Sequence, residues 1–304
     1  MATRLSRCRS SNPERSGFSL TELVVVIAII GIILSLTFPA VQNARSAADR
    51  LSCQNRLRQI GFALHNHHDT LGRFPPGQDS SPFGSGLDAT GLSWLAKILG
   101  FVDQDPLWGQ AKDAFRQDRY PWHNPPHIGL ATVIPLYTCP SDWRSASVQT
   151  GPDGITAAYT SYKGVEGSMT FMEDGVLPIG HAVNIAEITD GTSQTVMVGE
   201  RPPSASFDSG WWYCSHYSAY SYDFILQTAM LRETQDCGPP PGGMFVFGPG
   251  RPNNQCDMWH FWSIHRGGAN FCFADCSVRF LSYAISPILP SLASRNGGEV
   301  AELP

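Results

Sequence analysis

The chain has 304 residues, a net charge of −5 and a pI near 6.0, with 42% hydrophobic and 15% charged residues. This composition excludes a disordered chain and argues against a nucleic-acid surface, and the length allows one large domain or two small ones. The 29 glycines and 23 prolines point to many turns and long loops.

Charge is unevenly placed from the start. Arg4, Arg7, Arg9 and Arg15 stand against Glu14 alone, and from Leu23 to Ala44 there is no charge. At ~1.5 Å per residue that run reaches about 33 Å, enough to cross a hydrocarbon core of ~30 Å. The basic flank predicts that the leading end stays cytoplasmic. Val24, Val25, Val26, Ile27, Ile29 and Ile30 would weaken a helix in water. In lipid the backbone must satisfy its own hydrogen bonds, so helix is expected. Pro39 predicts a kink or local unwinding near the outer end. Beyond it Val41, Ala44, Ala48, Leu51, Leu57, Ile60 and Leu64 recur at helical spacing and form one expected inward face.

Glu22 sits at the lip of the apolar run. A carboxylate at the centre of a membrane helix costs about 2.5–3.5 kcal/mol on insertion scales, and a plain anchor gives no reason for it. The apolar run is too long for an ordinary cleaved signal, and no A-x-A site follows it. GFSLTE, residues 17–22, followed by the long apolar run resembles the class III signal of type IV prepilins and pseudopilins. The resemblance implies that a membrane aspartyl peptidase cuts between Gly17 and Phe18 and methylates Phe18. Glu22 then becomes the fifth residue, and Pro39 falls where the family's helix-breaking proline falls. Removal of residues 1–17 takes four arginines and one glutamate and leaves a net charge of −8. A buried charge is tolerated when paired. Glu22 is therefore expected to meet the amine of Phe18 on a neighbouring subunit and to set the axial register of a helical bundle.

A second resemblance covers most of the remaining length. CQNRLRQIGFALHNHHDTLGRFPPG (53–77), YTCPSD (137–142), TSYKG (160–164), ITDGTSQTVMVGE (188–200) and HRGGANFCFADCSVRFLS (265–282) stand in order. They resemble a bacterial family of prepilin-like proteins with a large C-terminal region of unknown function. Its late signature, H-x9-D-G, is met by His265 and Asp275, with Cys276 in place of the glycine. Apolar alternation around Asp275 predicts a hairpin. A two-residue turn would put Phe273 opposite Val278 and Phe271 opposite Phe280, with Cys272 on the other face near Arg279. Cys276 suits a type I′ turn poorly, because both central residues need positive φ. Either the turn type differs or a bridge holds it. Gln194 to Val198 reads as a strand, Asp174-Gly175 and Asp190-Gly191 as turns, and 71–91 and 238–243 as breaks.

Of the eight cysteines, only Cys8 precedes the apolar run, and no pair has CxxC spacing. Behind an export signal, spread cysteines favour disulfides. The seven that follow are odd in number, so at least one is free or pairs between chains. Cys53 with Cys139 would tie the long helix to the globular part. Cys256 is a candidate partner for Cys272 or Cys276, which are badly placed for each other.

Several clusters could carry chemistry. His65 and His68, beside His67 and Asp69, have the i, i+3 spacing of a zinc pair, but a helix C-terminus also favours histidine. His265 and Asp275 could be an acid–base pair, although turn and packing roles weigh more. No G-x-S-x-G or Walker loop is present. WWYCSHYSAYSYDF (211–224) and MWHFW (258–262) read as core or subunit interface, or, if exposed, as stacking surfaces. Asp103, Asp105, Asp153 and Asp174 lack the D-x-D-x-D-G pattern of a calcium loop.

The expected fold is α+β: a long hydrophobic helix packed on a β-rich domain with long loops. The expected segments are a leader at 1–17, an assembly helix at 18–44, its extension at 45–70 and a globular domain at 71–304. The expected role is a pseudopilin-like structural subunit of a type II secretion or type IV pilus-like filament. It has no catalytic residues, cofactor or metal of its own. Its expected partners are a prepilin peptidase, other pilin-like subunits and the inner membrane, with no nucleic acid. The globular domain would be periplasmic on a single-pass anchor. The alternative is a membrane-anchored or filament-tip module that binds glycan or secreted cargo through the aromatic stretch. A third reading is a tethered hydrolase using His265 or the His65/His68 pair.

Overall fold

A computed structural model describes residues 19–79, 91–215, 223–231, 237–238 and 240–299. The chain divides into two compact units between Ala47 and Ala48. Helix α1 runs unbroken from Leu20 to Leu71 with Pro39 inside it. The expected local unwinding at Pro39 is absent. A proline removes one N–H from the ladder, here the donor to the Ser35 carbonyl. The neighbouring turns remain helical, and Thr37 Oγ1 donates to the Ile33 carbonyl at 2.9 Å.

The second half of α1 lies in the second unit. Its buried stripe is Cys53, Leu57, Ile60, Gly61, Ala63, Leu64 and His67. Leu57, Ile60 and Leu64 belong to the expected face. Val41, Ala44, Ala48 and Leu51 do not: all four are exposed, Val41 by 67% and Leu51 by 57%. The seated stripe therefore starts at Cys53.

The second unit is built on a six-stranded mixed sheet. Its strands are β3 (Tyr162–Met169), β4 (Val196–Glu200), β5 (Ile225–Met230), β6 (Phe245–Val246), β7 (Gly268–Phe273) and β8 (Val278–Ser282), in spatial order β6-β5-β3-β4-β7-β8. β3 and β5 are parallel, and the other neighbours are antiparallel. A separate pair, β1 (Gln149–Thr150) and β2 (Thr156–Ala157), forms a small antiparallel ribbon. Helices α2 (Trp94–Lys97), α3 (Asp105–Gln117) and α4 (Leu289–Ala293) complete the unit. With the apolar α1 and this β-rich body, the fold is α+β.

Alternation along the strands sends side chains into two cores. Leu57, Ile60 and Leu64 of α1 share one with Tyr162, Val198 and Cys272 of the sheet and with Trp94, Tyr137 and Trp212. The other holds Val165, Val196, Leu226, Phe271 and Phe273 against Leu289 and Leu292 of α4. The sheet is thus covered on both faces, which is why β3, β4, β5 and β7 carry so few exposed positions.

β4 begins two residues later than expected, because Gln194 N closes a turn on the Gly191 carbonyl at 2.9 Å. The β7–β8 hairpin differs more. Phe271 pairs with Arg279 and Cys272 with Val278, one residue out of the expected register. Cys276 N donates to the Phe273 carbonyl at 2.9 Å, and Phe273 N to the Ser277 carbonyl at 2.8 Å. Cys276 alone of the turn residues has positive φ, at 65°. That is a turn followed by a one-residue bulge, not a two-residue type I′ turn. A one-residue slip exchanges the faces of a strand. Val278 accordingly packs against the core that α1 shares, Arg50 lies over the Phe280 ring at 4.8 Å, and Arg279 lies over Phe273 at 4.3 Å.

Gly61 lets α1 approach this hairpin. A Cβ there would stand 2.8 Å from Cys272 Sγ and 3.4 Å from Cys276 Sγ. Overpacking of this kind costs about 1–3 kcal/mol. Gly61→Leu is expected to lower unfolding stability in detergent by about that amount; unchanged stability would contradict the seating of α1. A second expectation concerns Glu166 in β3, which accepts from Gln227 Nε2 at 2.7 Å. Burial, with help from Glu173, pushes its carboxyl up to about 8. A raised acid favours the protonated fold, so its contribution is full below about 4.5 and is lost as pH rises towards about 8. Glu166→Gln should flatten that fall in a pH series of urea unfolding curves.

Candidate functional site

Two features carry functional weight. The first is the start of α1. Ser19 N donates to Glu22 Oε2 at 2.9 Å, so the carboxylate closes over an unpaired donor at the helix N-terminus. The positive end of the helix dipole favours an anion there. Every position from Leu20 to Ala48 is exposed. Leu23, Val24, Val25, Val26 and Ile27 are consecutive, so apolar side chains cover all sides of the helix. A helix apolar all round belongs in a membrane or inside a bundle. Among the described residues, α1 is the one helix long and apolar enough to cross a membrane. Gly17 and Phe18 lie outside the described residues.

The second feature is a buried cluster in the second unit. α1 supplies Cys53, the turn after Pro135–Tyr137 supplies Cys139, the end of β4 supplies Glu200, and the loop before β7 supplies His265. Their donor atoms all lie within 4.8 Å of one another. The sulfurs of Cys53 and Cys139 are 2.7 Å apart. His265 Nε2 is 3.7 Å from Cys139 Sγ and 3.5 Å from Glu200 Oε1. None of the four is more than 6% exposed. Asn270 fixes Glu200, its N–H at 2.7 Å on Oε2 and its Nδ2 at 3.0 Å on Oε1. Ser161 Oγ accepts from Cys139 N at 2.9 Å.

The electrostatics are asymmetric. The Cys53 thiol beside it brings Cys139 down to about 6, against burial and with help from His265. The bond to Cys139 and burial push Cys53 up. Burial works against the charged form of His265, but Cys139 and Glu200 outweigh it and hold the imidazole up at about 10. The two sulfurs stand closer than two thiolates on one tetrahedral zinc, about 3.8 Å for bonds of ~2.3 Å. The spacing is shorter than a metal centre needs and longer than a disulfide bond of ~2.03–2.05 Å.

The other candidates fall elsewhere. Asp275 is exposed at the tip of the β7–β8 turn, where its Oδ1 accepts from Ser277 N at 2.8 Å; His265 is buried at the opposite end of β7. They form no acid–base pair. His65 Nε2 meets the Ala274 carbonyl at 2.7 Å, His67 Nδ1 the Arg73 carbonyl at 2.9 Å, and His68 Nε2 the Ile185 N–H at 3.2 Å. His65 and His68 thus fasten the end of α1 to the body, and His67 fastens the chain that leaves it. Cys256 pairs with Cys237, not with Cys272 or Cys276, which face α1 across Gly61. Asp174 accepts from Ser168 N at 2.7 Å, Asp103 and Asp105 lie together at the start of α3, and Asp153 lies in the turn between β1 and β2. Glu200 was not singled out in the sequence; the signal was a lone acid closing the apolar run TVMVGE.

Trp211, Trp212 and Tyr213 are fully buried. Trp211 Nε1 donates to Tyr159 OH at 3.2 Å and Trp212 Nε1 to the Thr132 carbonyl at 2.8 Å. Trp259, Phe261 and Trp262 are buried as well. These rings are core, and a stacking surface built on Trp211 or Trp212 is ruled out. Residues 216–222 of the aromatic run lie outside the described residues.

Comparison with known families gives two matches. Residues 42–287 match the family described as Protein of unknown function (DUF1559), and residues 13–38 match the Prokaryotic N-terminal methylation motif. No curated protein and no solved structure matches the chain.

Emptying the space of a buried tryptophan costs about 3–5 kcal/mol. Trp212→Ala should therefore lose about that much unfolding stability in a denaturant titration. A fully stable variant would return the ring to the surface.

Proposed function

The chain belongs to the DUF1559 family and carries a prokaryotic N-terminal methylation motif, and on that premise we propose that it is a pseudopilin-like structural subunit of a type II secretion or type IV pilus-like filament. A prepilin peptidase cuts after Gly17 and methylates Phe18. The basic leader is cytoplasmic, α1 crosses the inner membrane once, and the globular unit is periplasmic until subunits are drawn into the filament. The chain is a substrate of the peptidase and performs no catalytic step itself.

The observation that carries this reading is the first half of α1: apolar on every side, exposed among the described residues, with an acid in its first turn. Lipid satisfies the apolar surface before assembly, and neighbouring helices satisfy it afterwards. The acid is the part that lipid alone does not satisfy. A carboxylate accepts at both oxygens. Glu22 can keep Ser19 N on one and take the methylated amine of a neighbouring Phe18 on the other. The pair forms only at one axial offset, so it specifies register as single buried polar contacts do in coiled coils. The burial of Trp211 and Trp212 takes those two rings away from the stacking surface on which a glycan- or cargo-binding alternative rested.

Mass measurement of the membrane form made with a prepilin peptidase should give a chain that starts at Phe18 and carries one methyl group. An intact Met1, or a cut elsewhere, would overturn the processing. Glu22→Val should still be cut and inserted, but should fall by about tenfold or more in sheared filaments, the loss of at least ~1.4 kcal/mol per contact. Wild-type incorporation of Glu22→Val would overturn the register role.

A further inference from the structure

The buried cysteine–histidine cluster is not used by filament assembly, and it is more than a packing contact. Two thiols in simple van der Waals contact need no ionisable neighbours, yet here an imidazole and a carboxylate are brought to the same point at the expense of desolvation. A disulfide needs sulfurs at ~2.03–2.05 Å, and the sulfurs at 2.7 Å need only a small approach. Zinc would need them to move apart. Each of the three partners of Cys139 comes from a different element: α1, β4 and the loop before β7. The cluster is therefore complete only when α1 is seated on the sheet.

We propose that Cys53 and Cys139 close to a disulfide once the domain is outside the cytoplasm, with Cys139 reacting as a thiolate whose proton rests on His265, the imidazole that stands between it and Glu200. The S–H of Cys139 gives its proton to Nε2 of His265, 3.7 Å away. The imidazolium so formed faces the Glu200 carboxylate at 3.5 Å, itself fixed by Asn270. The Cys139 thiolate attacks one sulfur of an oxidant disulfide. The S–S bond of the oxidant breaks, and its first thiolate leaves. Cys53 then loses its proton to that thiolate and attacks Cys139 Sγ in the mixed disulfide. The new Cys53–Cys139 bond forms as the second thiolate of the oxidant departs and takes up the proton held by His265. Two electrons and two protons pass from the pair to the oxidant, a protein or small-molecule disulfide of the extracytoplasmic compartment. With Cys53 and Cys139 at 0% and 5% exposure, the oxidant has access only before α1 is fully seated. The finished bridge then locks α1 to the loop that carries Cys139, so pull on the assembly helix reaches the sheet through a covalent bond.

The test uses the full chain in detergent. Protein isolated from membranes is alkylated without reductant and mapped by mass spectrometry. The peptides of Cys53 and Cys139 should be joined and lack two hydrogens. Two alkylated, separate cysteines would overturn the bridge, and so would one stoichiometric zinc lost in Cys139→Ser. Reduced, unfolded protein is then refolded with oxidised glutathione, and each bridge is followed separately. In His265→Gln the Cys53–Cys139 bridge should close about tenfold more slowly at pH 6, with the gap narrowing by pH 9, where thiolate forms without a base. Closure of Cys237–Cys256 should be unchanged, which separates the chemistry from a folding defect. Equal slowing of both bridges, or slowing that ignores pH, would overturn the part given to His265.

Discussion

One helix has to be buried in two different solvents, and the rest of the structure answers to that constraint. From Leu20 to Ala48 every position is exposed, and from Cys53 onward a single stripe is buried in protein. The backbone does not register the change: the helix runs through it, and through Pro39, without a break. Only the side chains differ, apolar on all sides in the first half and on one side in the second. A segment of the first kind is stable only in lipid or among similar helices, which leads from the physics of one element to export and assembly.

The second half of α1 is held by contacts that tolerate no slack. Gly61 admits the sulfurs of Cys272 and Cys276, His65 and His68 tie the C-terminal turns to backbone groups of the body, and Cys53 reaches Cys139. Five separated segments carry the family resemblance, and all of them deliver a group to one place. Cys53 and Cys139 meet there, Ser161 holds Cys139, Glu200 faces His265, and Asn270 holds Glu200. A pattern scattered over more than two hundred positions of sequence is thus one cluster in space. The cluster stands where the second half of α1 meets the body.

Much of this was legible in the sequence, for identifiable reasons. The apolar run, the acid at its lip and the helical period of Leu57, Ile60 and Leu64 are local patterns, and local patterns survive folding. The approach of Cys53 to Cys139 followed from the need to tie a helix to a body. The hairpin register did not, because it turns on the sign of φ at Cys276 alone, and a non-glycine residue there conceals a bulge. The partner of Cys256 was missed because proximity of two loops leaves no periodic trace. His265 was recognised as part of a motif, but its neighbour Glu200 was not. Asp275 is close in sequence and lies at the far end of a strand; Glu200 is distant in sequence and adjacent in the sheet. The aromatic run could not be divided between core and surface until the sheet placed Trp211 and Trp212 beneath it.

The central claim is that Glu22 meets the N-terminal amine of another subunit. Zero-length carbodiimide crosslinking of sheared filaments, followed by peptide mapping, tests it directly. The account predicts an amide between the Glu22 carboxyl of one chain and the Phe18 amine of a second, absent from Glu22→Val. Filaments that crosslink only elsewhere, or a Glu22 carboxyl that couples only within its own chain, would contradict it.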